Sequence, residues 1–181
     1  MRYIWIVIAI SVIILGCYTY LELNNIMQEL KDLKEQVALL KQYQSAAEEP
    51  LTEIQLYFVK STPTDFLLVP VTRRLPASEA TPLYTLQLLI QGPLPEEDLQ
   101  RSVPAEAEVL SLSINNSLAI VDFSSELSTK FVGGSQLESH LVNAIVLTLT
   151  QFPEINQVQI LLNGKNVESI GGHVNIEYPL P

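Results

Sequence analysis

An α+β fold is expected for residues 54–181: a two-layer sandwich in which a mixed, largely antiparallel sheet carries two helices on one face. Three observations predict it. Short segments alternate apolar and polar residues with period two, and two longer segments repeat apolar residues at helical spacing. These segments follow one another as strand, strand, helix, hairpin, helix, strand, an order typical of α+β domains. Polar Gln55, Ser111, Ser113 and Gln159 at the non-core strand positions leave one sheet face under the helices and the other for solvent or a partner. An N-terminal membrane helix and a short heptad helix precede the domain. The expected boundaries are 1–21 for a transmembrane anchor (or lipoprotein signal), 22–44 for an amphipathic or coiled-coil stalk, and 45–53 for a linker.

The anchor rests on a run without charge. From residue 3 to 21 no side chain is charged, and a helix of that length reaches about 28 Å, close to the ~30 Å of a bilayer's hydrocarbon. Tyr3 and Trp5 at one end and Tyr18 and Tyr20 at the other suit the two interfaces, while Arg2 marks the cytoplasmic side. The remainder should then face away from the cytoplasm, as the carboxyl-terminal domain of a single-pass cell-membrane protein. Cys17 is the one cysteine, so the chain forms no internal disulfide. It follows Leu15 and Gly16 in a pattern that also fits a bacterial lipobox, in which Cys17 is lipidated and becomes the mature N-terminus. Both readings put the domain on the same side of the membrane. A reactive thiol is the weakest reading, because an apolar surrounding raises a thiol's pKa.

Leu23, Ile26, Leu30, Leu33, Val37 and Leu40 are spaced three, four, three, four and three apart, the a/d rhythm of a coiled coil. In that register Glu29 falls at g and Lys34 at the following e, an opposite-sign pair available to a parallel dimer. Alternatively, a lone amphipathic helix lies against its own domain. Residues 44–53 lose the rhythm and contain Pro50, which reads as a linker.

In the domain, Ile54, Leu56 and Phe58 define the first strand, and residues 66–75 the second, with Pro70 assigning it to an edge or a bulge. Thr81 can cap a helix that Pro82 opens and Gly92 and Pro93 end, with Leu83, Leu86 and Ile90 inward. Leu110, Leu112 and Ile114 alternate with serines, Asn115, Asn116 and Ser117 turn the chain, and Ala119, Val121 and Phe123 line the return strand. Ser135 and Glu138 form a capping-box pattern opening a second helix to about Gln151. That helix is apolar so widely around that it needs cover on more than one side. Val158, Ile160 and Leu162 mark the last strand, Asn163 and Gly164 a turn, and residues 171–181 a short extended piece.

Charge and motif content exclude several functions. The net charge of −10 divides as −2 over residues 1–50 and −8 over the rest, and Arg73 and Arg74 are the one adjacent basic pair. That is no nucleic-acid footprint. No Cys/His cluster has zinc spacing and no cofactor motif occurs. His140 shares a polar helix stripe with Gln136 and Asn143 and reads as a surface residue. His173 follows Gly171 and Gly172 in a loop, with no serine or cysteine at a motif spacing for it to activate. Asp122 is an outward strand residue that can bond the following turn, and Gly133 with Gly134 serves a helix start without the lysine of a P-loop. No catalytic set is assembled.

Several segments together resemble the GerMN domain family of sporulation and germination proteins. They are LVPVTRRLP (68–76), LQLLIQGPLPEE (86–97), SVPAEAEVLSLSINNSLAIVDFSSEL (102–127), LTLTQFPEINQVQILLNG (147–164) and GGHVNI. The likeness covers roughly residues 54–177. It implies a bacterial domain held outside the membrane by lipid or a helix, related to ring-building domains that oligomerise, and it carries over no catalytic residues. The founding member has two copies of the module and this chain one, here separated from its anchor by a heptad segment.

The expected function is a non-enzymatic, membrane-tethered protein-interaction or assembly module of the cell envelope. Its partners would be further copies of the chain or other envelope proteins. Leu118, Ile120, Leu147 and Leu161 form the candidate interaction surface, apolar residues in excess of what one small sheet should cover. The alternative is a binding module for a cell-wall glycan or small ligand, using the His173 loop with Tyr57 and Tyr178. A hydrolase built from His173 and Asp122 is the third.

Overall fold

The computed structural model describes the backbone of residues 2–47 and 49–181, and the side chains of residue 16 and of residues 19–42 and 49–181. The chain divides into two compact units, Met1–Glu49 and Pro50–Pro181. In the first, helix α1 (Arg2–Ala47) runs unbroken for 46 residues, so the expected anchor and stalk share one helix. Its heptad residues are open, from 43% exposure at Val37 to 65% at Leu23. Most side chains of the apolar run 3–21, Cys17 included, lie outside the described residues. Among the described residues, no helix is long and apolar enough to cross a membrane.

The second unit begins with a long hairpin of β1 (Leu51–Ser61) and β2 (Phe66–Pro76), paired antiparallel from Leu51↔Pro76 to Ser61↔Phe66. Ile54, Leu56 and Phe58 are buried, as the period-two pattern requires. Pro70 stands opposite Tyr57, whose carbonyl turns away from β2 to accept from Ser102 Oγ at 2.8 Å. Strand residues alternate the side to which their backbone groups point, so the Pro70 nitrogen faces outward, where no donor is needed. β2 is an edge strand.

One sheet was expected, and there are two: β1–β2, and a three-stranded sheet in the order β3-β4-β5. The cause lies on the free side of β1. There the Gln151 amide bonds both backbone groups of Gln55 (2.7 and 2.9 Å), Ser102 bonds Tyr57, and Gln100 bonds both groups of Val59 (3.0 and 2.7 Å). With those groups taken, no ladder can continue from β1 to another strand.

Helix α2 (Pro82–Gln91) starts as expected: Tyr84 N–H donates to Thr81 Oγ1 at 3.3 Å and Pro82 takes the first position. It ends at Gly92, whose φ of +86° suits glycine, and a Cβ there would stand 2.7 Å from the Arg101 guanidinium. Its buried stripe is Thr85, Leu86 and Leu89, whereas Leu83 is 42% exposed. The expected Leu83–Leu86–Ile90 face is thus rotated, because α2 must meet both β1 and the helix α4 (Ser135–Thr150). After α2, Glu97 accepts from Leu94 N–H at 2.7 Å and forms a two-pronged ion pair with Arg73 (2.6 and 2.7 Å), tying the loop to β2.

β3 (Val109–Asn115) and β4 (Leu118–Phe123) form the second hairpin, with Asn116 and Ser117 both at positive φ, as a two-residue turn of this hand requires. The register shifts between Val109 and Ser111, leaving Leu110 as the extra, 50% exposed residue of a bulge. Leu110 therefore does not share a face with Leu112 and Ile114. After the short helix α3 (Glu126–Thr129), α4 crosses to β5 (Gln157–Leu162), which pairs parallel to β4. The breadth of apolar surface on α4 is explained by its neighbours: it packs against α2, β1, β2 and β5. One core joins both sheets and helices, with Phe58 and Phe123 fully buried at its centre. Leu180 bridges Val158 at the outer side of β5, the extended part of the C-terminal segment.

Candidate functional site

Glu138 caps no helix. α4 opens at Gly134 without a side-chain cap, and the expected capping box is not made. The reason is a phase: Glu138, Leu141, Val142 and Ile145 are spaced 0, 3, 4 and 7, so the carboxylate points inward with the apolar stripe and is fully buried. It meets the loop after β5. Oε1 accepts from Ile170 N–H (3.0 Å) and Gly171 N–H (2.8 Å), and Oε2 accepts from His173 N–H (2.9 Å) and lies 3.1 Å from His173 Nδ1. Burial pushes this carboxyl's pKa up, but the donors from Gly171 and His173 outweigh it and hold the group below the ordinary glutamate value. Gly171 is required: a Cβ there would stand 2.7 Å from Phe131 and 3.0 Å from Glu138 Oε2.

An ionised carboxylate can only accept, so Nδ1 of His173 carries a proton and Nε2 is left to accept when the ring is neutral. The ring is 46% exposed. Beside it lies a cleft of about 210 Å³ lined by Glu168, Ser169, Gly172, His173, Val174 and Asn175. A buried carboxylate orienting an imidazole is half of a hydrolytic triad, but the other half is not assembled. Ser169 Oγ accepts from Gly172 N–H at 2.8 Å, and the N–H groups of Ile170, Gly171 and His173 are taken by Glu138.

The remaining candidates are each bound elsewhere. Asp122 is engaged by a turn and not by His173. Its Oδ1 accepts from Gly164 N–H at 2.8 Å, so the turn it holds is the one after β5. His140, expected on the surface, is half-buried and bonds the Phe66 carbonyl through Nε2 at 3.0 Å. Gln136 donates to the same carbonyl at 3.2 Å and to Asp65, whose carboxyl this bond lowers. Arg73 and Arg74 are paired with Glu97 and Glu53. Tyr57 packs against the core, while Tyr178 is 68% exposed.

Of the expected interaction residues, Leu118, Ile120 and Leu161 sit on the outward face of β4 and β5, each half-buried. Leu147 is on the solvent stripe of α4 with Gln136 and Asn143, away from that face. Cys17 lies outside the described side chains.

Sequence reasoning missed the condition of the strand edges. β5 is closed outward: Val158 exchanges two bonds with Leu180 (both 2.8 Å), the Ile160 carbonyl accepts from the Gln159 amide, and Leu162 N–H donates to Lys165. β1 is closed as described, and β2 is bonded at Phe66 and interrupted by Pro70, which leaves Leu68 and Thr72 as separated outward positions on either side of the proline. β3 differs. Ser124 N–H donates to the Glu108 carbonyl while Phe123 and Ser117 accept from the β5 side, which fixes the phase of β4. Ser111, Ser113 and Asn115 therefore bond β4, and the backbone groups of Leu112 and Ile114 face outward. Among the described residues nothing pairs with them. The strand VLSLSIN has no charge and no proline, the two commonest protections of an edge.

Comparison with known proteins identifies the domain. The profile of Germane, described as "Sporulation and spore germination", matches residues 55–168. The spore germination protein GerM of Bacillus subtilis (strain 168) is 32% identical over 111 residues, covering 58% of this chain and 30% of GerM. The chain thus spans about a third of that relative. The first GerMN domain of B. subtilis GerM superposes with a TM-score of 0.57 at 28% identity, covering 69% of this chain and 92% of that one. A Clostridium perfringens protein described as a lipoprotein gives 0.53 at 27%, covering 72% and 87%. The resemblance carried by the sequence motifs therefore holds, and the chain belongs to the Germane family of sporulation and spore germination proteins.

Proposed function

We propose that this protein is a non-enzymatic assembly module of the bacterial cell envelope, tethered to the membrane by its N-terminal segment, with the Pro50–Pro181 unit outside the cytoplasm. The observation that carries the docking role is the open, uncharged edge of β3, in a domain where β1 and β5 are closed outward by specific bonds and the β2 edge is interrupted by Pro70 and carries Arg73 and Arg74 beside it. Unpaired backbone donors and acceptors on a strand edge, here at Leu112 and Ile114 beyond the Leu110 bulge, template an added strand. The outward face with Leu118, Ile120 and Leu161 continues from that edge on the same sheet and offers the added strand's neighbours apolar contact.

The tether is supported by the uncharged run 3–21 and by a relative described as a lipoprotein. Lipidation at Cys17 and an uncleaved span both remain consistent with it. Mass spectrometry decides between them: a lipid-modified fragment beginning at Cys17 removes the span. The docking role is tested with a photo-crosslinker placed at Ile114 or, as controls, at Leu147 and Val132, in intact cells. Crosslinks concentrated at Ile114 are expected; equal yields at all three sites, or none at Ile114, refute the β3 edge.

A second reading is favoured by one feature, the His173 cleft with its polar walls. A small polar ligand or wall-glycan fragment bound there would raise the unfolding midpoint of the native chain and not of His173→Ala.

A further inference from the structure

We infer that α1 pairs with a second copy of itself, parallel and in register, through residues 23–40. The inference rests on the assembly role proposed above and names its partner. α1 is one unbroken helix, and its six a/d residues form a continuous open stripe. Taking Leu23, Leu30 and Val37 as a and Ile26, Leu33 and Leu40 as d, the flanking rows are Glu22, Glu29 and Gln36 at g and Met27, Lys34 and Lys41 at e. One flank carries no base and the other no acid.

That separation selects the orientation. In a parallel pair, each g residue faces the e residue of the next heptad in the partner. Glu29 then meets Lys34 of the other copy, Gln36 meets Lys41, and Glu22 meets the Met27 methylenes, with no like charges opposed. In an antiparallel pair g faces g and e faces e, which sets Glu against Glu and Lys against Lys. Register follows from the core. A slip of one heptad would remove two of the six a/d residues of each chain from contact, in a segment that has fewer than three full heptads to lose.

The experiment uses the full chain in detergent micelles. With Cys17→Ser as background, Val37→Cys places a thiol at an a position, where only a parallel, in-register pair brings two copies within disulfide reach. Oxidation is expected to give a covalent dimer from Val37→Cys and little from Glu35→Cys, at the f position on the opposite side of the helix. Equal yields at both positions, or none at position 37, overturn the inference. Sedimentation adds a reading of charge. Lys34→Glu should weaken dimerisation about tenfold, as expected for opposed charges on both flanks, and Glu29→Lys in the same chain should restore it. A chain that stays monomeric, or a double substitution that restores nothing, also overturns it. These readouts concern α1 alone, so a failed β3 crosslink leaves them standing and the reverse.

Discussion

Glu138 is the residue on which the C-terminal loop depends. Removing its carboxylate in Glu138→Ala leaves the N–H groups of Ile170, Gly171 and His173 without their acceptor; the first is buried and its loss costs about 1–3 kcal/mol, while the other two are partly open to water and cost less. A loss of about 2 kcal/mol is expected in urea unfolding, with faster proteolysis after position 165. The effect has a pH signature. The folded carboxyl is held below its unfolded value, so its contribution is complete at neutral pH, starts to fade near the unfolded pKa of about 4.3, and is lost as pH falls through the lower folded value. Stability of the native chain and of Glu138→Gln should therefore converge as pH is lowered from 7 to 3; a constant gap would contradict the account. The sequence carries two signals here, and they differ in clarity. Gly171, Gly172 and His173 announced a constrained loop. Ser135 and Glu138 also fit a capping box, and that local pattern obscured the fact that Glu138 is in phase with Leu141, Val142 and Ile145 on a buried face. A carboxylate on an apolar stripe is the clearer sign of a buried, satisfied acid.

At the scale of elements, periodicity and turn chemistry carried most of the fold: the expected strands and the helices α2 and α4 are present in the expected order, and Asn116–Ser117 and Asn163–Gly164 turn the chain. Sheet membership was not legible, because it is decided by single side chains far away in sequence. Gln151 closes β1 by copying a backbone partner, and nothing about a glutamine after a helix announces that. Gln151→Ala should cost about 1 kcal/mol for two partly exposed bonds and should speed amide exchange at Gln55, measurable by hydrogen–deuterium exchange, while leaving Leu112 and Ile114 unaffected. The face of α2 departs from its apolar spacing for a related reason, since the helix meets both β1 and α4 and so buries Thr85 in place of Leu83. Thr85 and Thr148, on two helices that pack together, keep buried hydroxyls without partners. Thr148→Val keeps the shape and removes that cost, so an increase in stability of about 1 kcal/mol is expected, read as a higher urea midpoint with unchanged m-value.

At the scale of the molecule, the two units are built on different sources of stability. Pro50–Pro181 has one shared core and bonds that close the outer edges of β1 and β5, and the family match lies inside it. α1 has no core of its own: its apolar stripe is open along the described residues, and a helix gains most of its stability from packing an apolar face. The domain should therefore fold without the helix, and the helix should need a membrane, a second copy, or both. Residues 50–181 expressed alone are expected to unfold in one cooperative step, with a midpoint within a few degrees of the same transition in the full chain. Those residues also carry a formal charge of −8, so copies of the isolated domain repel one another at low ionic strength and should sediment as monomers there. An isolated domain that melts far earlier would mean that α1 contributes to its core. One that dimerises as tightly as the full chain would move the pairing from the stalk to the β3 edge.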